Sequence, residues 1–184
     1  GFIQIISGSH NIVLNIIMGI LCLLIISHGF VTMNVIRALP AWSSNMVLPL
    51  SLISGIWVGH QILQFILSFA RPELVSGMEI FAAIFFFAYV LCIVLYGWGT
   101  FHSNEIGRES MLMMLKDKKL RKITLAGVGG LAIVLPLIFV LIMWGGSTNG
   151  FWVFLRMCFV IAGDLAIRYV IMKSALYQPL IARN

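Results

Sequence analysis

The chain has 184 residues, 61% of them hydrophobic and only 10% charged, with a mean hydropathy of +1.06 and a formal net charge of +6. Ordinary soluble domains are about 45–50% apolar and about 25% charged, so this balance excludes that class and points to an all-α membrane protein. Cofactor motifs are scarce: Cys22, Cys92 and Cys158 stand singly in apolar runs, without the clustering that iron–sulfur or zinc sites need. No phosphate-binding glycine loop and no Ser/His/Asp arrangement is present.

The apolar runs predict about five membrane-spanning helices of at least 20 residues, near 11–36, 46–69, 75–98, 123–144 and 151–173, forming one transmembrane domain over residues 1–184. The run at 11–36 has no positive charge before it, the first being Arg37. A signal peptide needs the reverse order, so this run reads as a retained helix, and the Gly1 start suggests that something originally preceded it. Between the second and third runs ARPE, 70–73, is a turn with Pro72 placed to start the next helix. The longest break, 99–122, is too short for a soluble domain. Within it MLMMLKDKK suits a short interfacial helix, and KDKKLRK, 116–122, reads as a loop contacting anionic lipid headgroups rather than nucleic acid. GGSTNG, 145–150, is a flexible turn. No internal repeat and no low-complexity tract is visible.

Orientation follows from the basic residues. The breaks after the first and third helices and the C-terminal tail hold Arg37, Arg108, Lys116, Lys118, Lys119, Arg121, Lys122, Lys173 and Arg183, against Arg71 on the opposite side. The positive-inside rule then makes the C-terminus cytoplasmic and puts Gly1 outside.

Polar groups inside the spans fall into two layers when depth is counted at about 1.5 Å per residue. Asn15, His60, Gln64, Glu79 and Arg156 come within about 14 Å of the outer surface, and His28, Asp164 and Arg168 fall in the inner half. Intramembrane ionisable groups face the bundle interior and mark sites or proton paths, so the layers suggest an outward pocket and an inward relay. The plainer reading is an ion pair between Asp164 and Arg168, four apart on one helical face, that locks the last helix to its neighbours. On the same plain reading Glu79 and Arg156 are partly hydrated near the interface. His60 and Gln64 share a face as well, and an imidazole suits two-electron, two-proton chemistry on a quinol. A shared haem is disfavoured because His28 and His60 come at depths of about 25 Å and about 13 Å, and His28 reads as a histidine hydrogen-bonded within the bundle.

IRALPAWSSNMVLPLSLISGIWVGHQIL, 36–63, resembles a helix junction of the NrfD/PsrC-type polysulfide reductase membrane subunit family, related to the dimethyl sulfoxide reductase anchor. The resembling features are Pro40 and Trp42, then Pro49, then Ser54 and Gly59. GDLAIRYVIMKSALY, 163–177, is similar to that family's closing helix through Gly163, Arg168, Tyr169 and Val170, with Ala175 where the family has Gly. The resemblance implies the C-terminal five helices of an eight-helix protein in a bacterial or archaeal cytoplasmic membrane. It further implies a subunit without haem or iron–sulfur cluster of its own that exchanges electrons between a quinone, menaquinone or ubiquinone, and an iron–sulfur subunit at the outer face, completed by a molybdopterin catalytic subunit. His60, Gln64, Glu79, Arg156 and Asn15 are then the candidate quinone residues, and Asp164, Arg168 and His28 a proton path or structural pair. Two other classes use intramembrane charge: an ion, proton or solute transporter, although neither an inverted repeat nor paired broken helices are visible, and an anchor with no chemistry.

Overall fold

In the computed structural model the described residues are 20, 46–103, 105–144 and 149–174. The expected helix 11–36 with Asn15, Cys22 and His28, the Pro40–Trp42 break, residues 145–148 and the tail from Ala175 lie outside them. Among the described residues the secondary structure is helical throughout, with no strand, and four rods are long and apolar enough to cross a membrane. The chain is therefore a multi-pass membrane protein.

The first rod, α1 (Val47–Ala70), stops where Pro72 forbids helical geometry to the residue before it. Arg71 accordingly has φ −152° and ψ 75°, and its N–H closes the last turn on the Leu67 carbonyl at 2.8 Å. Pro72 then opens α2 (Pro72–Val75), where a missing N–H costs nothing. A 3-10 turn at Ser76–Met78 leads without a break into α3 (Glu79–Ser103). The span expected at 75–98 thus runs from Pro72 to Ser103, 32 residues. The connection that follows is ordered as two helices, α4 (Glu105–Lys116) and α5 (Lys118–Ile123). Asp117 separates them, its carboxylate accepting from the Lys119 and Leu120 amides at 2.7 and 2.9 Å. The short helix expected within MLMMLKDKK is divided at Asp117, so that α4 starts earlier, at Glu105, and ends at Lys116; it buries Gly107, Ser110 and Met114.

The next rod begins earlier than the expected residue 123, because α5 continues straight into it. Thr124–Val134 is wound as a π-helix before α6 (Leu135–Trp144) resumes ordinary winding. At the junction the Leu135 N–H reaches back five residues to the Gly130 carbonyl. Pro136 contributes to this wide winding, because it has no N–H to return to Ala132. The last rod is α7 (Gly150–Ser174).

Close approach decides how α7 meets the π segment. A Cβ on Gly163 would come within 2.6 Å of Ala132 Cα and 2.7 Å of its backbone nitrogen, and one on Gly127 within 2.6 Å of Ala166 Cβ. Lipid tails are as apolar as the side chains they meet, so helix association in a membrane relies on such small-residue contacts and on polar bonds. α1, α3 and α7 bury residues at alternating steps of three and four: Leu50, Ser54, Trp57, Gln61 and Gln64; Glu79, Ala82, Phe86 and Tyr89; Val153, Arg156, Val160, Gly163, Ile167 and Val170. This spacing is the seam of near-parallel knobs-into-holes packing. Gly163→Ala will press on backbone and cost about 1–3 kcal/mol of stability, read as a lower melting temperature in detergent. Gly59→Ala, with nothing within 4 Å of the added Cβ, will not lower the melting temperature, since alanine also favours the helix over glycine.

Candidate functional site

One helical turn of α1 and one of α7 meet at an arginine with no exposed surface. Arg156 is 0% exposed, and its guanidinium is held from two other helices. Nε donates to Gln61 Oε1 at 2.7 Å, Nη1 to Glu79 Oε2 at 2.7 Å, and Nη2 to Glu79 Oε1 at 3.0 Å and to Gln64 Oε1. Gln64 Nε2 in turn donates to Glu79 Oε1 at 3.1 Å. The two-pronged grip on the carboxylate is the arrangement that a planar guanidinium favours. Three of the sequence candidates, Gln64, Glu79 and Arg156, are therefore brought together. They are spent largely on one another, and Glu79 is only 4% exposed, so the partly hydrated interfacial setting expected for this pair gives way to a buried one. Gln61, which the sequence reading missed, completes the set.

His60 is adjacent and different. Its ring lies edge-on to Phe85 with centroids 5.3 Å apart, within electrostatic reach of Arg156 and Glu79. Neither Nδ1 nor Nε2 has a hydrogen-bond partner among the described residues. The ring borders an open, almost wholly apolar groove of about 320 Å³ lined by Ile56, Gly59, Leu63, Met78, Phe81 and Phe85. The groove is open beside Gly59, where no atom lies within 4 Å of the Cβ direction.

The second polar layer sits toward the other end of α7. Arg168 Nε donates to Asp164 Oδ2 at 2.7 Å, the Ser54 hydroxyl donates to Asp164 Oδ1, and Arg168 Nη2 donates to Ser54 Oγ at 3.2 Å. The Tyr89 hydroxyl stands beside the same carboxylate, near enough to interact with it but without a well-aligned hydrogen bond. Arg168 keeps 37% of its side chain exposed, on the wall of a groove that Tyr169 and Met172 also line. Asn15 and His28 lie outside the described residues. Among those residues no group of three His, Cys, Asp or Glu is placed to hold a metal ion.

The missed residues carry a signal in the sequence after all. Ser54, Trp57, Gln61 and Gln64 repeat at three and four within one apolar run, the spacing of a polar seam rather than of scattered exceptions. No protein-family model, curated protein or solved structure matches the chain.

Removing one partner of a buried ion pair strands the other at a cost of about 3–5 kcal/mol. Glu79→Gln and Arg156→Met will each destabilise the bundle on that scale. The double variant Glu79→Leu with Arg156→Met will cost clearly less than the two single losses added, and unfolding titrations in mixed micelles will report this non-additivity.

Proposed function

We propose that the chain is a quinone-interacting membrane subunit of a respiratory oxidoreductase complex, with His60 as the residue that meets the quinone headgroup. The observation that carries the proposal is a buried imidazole with both nitrogens unpartnered among the described residues, at the edge of an apolar groove of about 320 Å³. A quinone headgroup is a flat apolar ring with two carbonyl oxygens, and ligand sites of this kind are mostly apolar with a few placed polar groups. Neutral imidazole donates to a carbonyl through one nitrogen and accepts from a quinol hydroxyl through the other.

In this reading oxidation of a quinol releases two electrons and two protons. His60 accepts the proton of the hydroxyl it faces, the other hydroxyl loses its proton to water at the outer face, and the electrons pass to an iron–sulfur subunit docked at the same end of the bundle, itself partnered by a molybdopterin catalytic subunit. Arg156, Glu79, Gln61 and Gln64 act indirectly. Their closed network fixes the pitch and rotation of α1, and with it the direction in which the imidazole points. The basic residues between 105 and 122 and at Lys173 support this reading, since the positive-inside rule assigns their end of the bundle to the cytoplasm and the His60 end to the outside.

The test uses the assembly purified from its native membrane, titrated with a fluorescent quinol-site inhibitor. Saturable quenching is expected for the wild type. His60→Ala will weaken it at least tenfold, as will Leu63→Trp, which fills the groove, with the complex still assembled in both cases. Absence of saturable quenching in the wild type would sink the quinone reading and favour an ion- or solute-translocating role for the buried charges.

A further inference from the structure

On each of the three seam helices the two polar layers are separated by apolar residues in the same order. Along α1, Gln61 belongs to the Arg156 network, Ser54 to the Asp164 cluster, and Trp57 comes between them. Along α3, Glu79 and Tyr89 take those places with Phe86 between, and along α7, Arg156 and Asp164 flank Val160. At about 1.5 Å per residue the two layers are about 10–15 Å apart. The residues between them leave no room. Trp57 is 0% exposed and Phe86 and Val160 are each 2% exposed, with the indole and phenyl rings in tilted contact at 5.9 Å. The indole N–H and the Tyr89 hydroxyl have no well-formed hydrogen bond, and among the described residues no continuous run of donors and acceptors crosses this level. Among the described residues each polar layer holds one ion pair, Arg156 with Glu79 and Arg168 with Asp164.

We propose that Trp57, Phe86 and Val160 form a proton-insulating layer across the bundle, and that any proton exchanged at His60 equilibrates only with the side of the membrane on which the Arg156 network lies. The Asp164–Arg168 pair is then structural and stands outside the proton route. A hydrogen-bonded relay needs water or polar side chains at intervals of about 3 Å, and the layer excludes both. The insulating role rests on packing alone. The sidedness of redox-linked protons rests also on the quinone reading above.

Proton leak in vesicles containing the purified assembly separates the two. With a potassium diffusion potential imposed and a pH-sensitive dye inside, wild-type vesicles should hold the pH as protein-free vesicles do. Trp57→Ser opens space for several waters, each taking about 30 Å³, beside Ser54 and Gln61. It should raise the leak at least tenfold, and Phe86→Ser should do the same, whereas Trp57→Phe should not. Inhibitor titration on the same preparations shows whether the His60 groove is intact. A leak in Trp57→Ser together with absent inhibitor binding in the wild type would keep the layer and remove the quinone. Inhibitor binding with no added leak in either serine variant, or a wild-type leak equal to theirs, would overturn the layer and leave the quinone reading standing.

Discussion

Burial of one guanidinium governs the arrangement of this bundle. An ion taken out of water costs several kcal/mol even after the surroundings relax, and inside a membrane no solvent is at hand to repay that cost. Arg156 on α7 is satisfied only when Gln61 and Gln64 of α1 and Glu79 of α3 arrive at the same level. Sliding any one of these helices by a turn, about 5.4 Å, would strand the charge. Apolar contacts between the same helices impose no such register, because a leucine that loses a neighbour in lipid finds an equally apolar tail. The charge network therefore sets register, while Gly163 against Ala132 and Gly127 against Ala166 set how close α7 comes to the π segment.

The four spans among the described residues were legible in composition alone, because a run of 20 apolar residues has few other uses. Their ends were less so. Pro72 announced the start of the rod it opens, but the continuity of α5 with the π segment left no mark, since KKLRKI is charged while belonging to the same rod as the apolar run after it. The inward faces were hidden for a physical reason. In water an amphipathic helix betrays its buried face by contrast with a polar one, whereas here both faces are apolar and the contrast is lost. What remains is the spacing of the few polar residues.

The depth count put Gln64, Glu79 and Arg156 at one level, and the structure joins them. It did not identify Gln61, because pairing by steps of four drew His60 and Gln64 together instead. At about 100° per residue, Gln64 lies about 40° from His60 on one side and about 60° from Gln61 on the other. It can therefore be assigned to either neighbour from sequence alone. Only the position of Arg156 on a third helix decides that the glutamines turn inward as a pair and that the imidazole is turned toward Phe85 and the groove.

On the quinone reading, that division of labour would let a chain so apolar carry chemistry at one end of its core without leaking charge to the other. Among the described residues each ionised layer pairs one cation with one carboxylate, so within them neither demands a counter-ion or a water file to sustain it. A proton driven from the first layer to the second would have to leave a neutral cluster, cross about 10 Å of packed ring and aliphatic surface between Trp57, Phe86 and Val160, and then unbalance a cluster that is already satisfied. Each of those steps is uphill for the same reason that Arg156 needed its partners, the absence of solvent for an isolated charge. Hence the desolvation that fixes the register of the helices also keeps their two polar layers apart, and His60 lies beside the first layer without being bonded into it among the described residues, the position that the proposed proton exchange with a quinol requires.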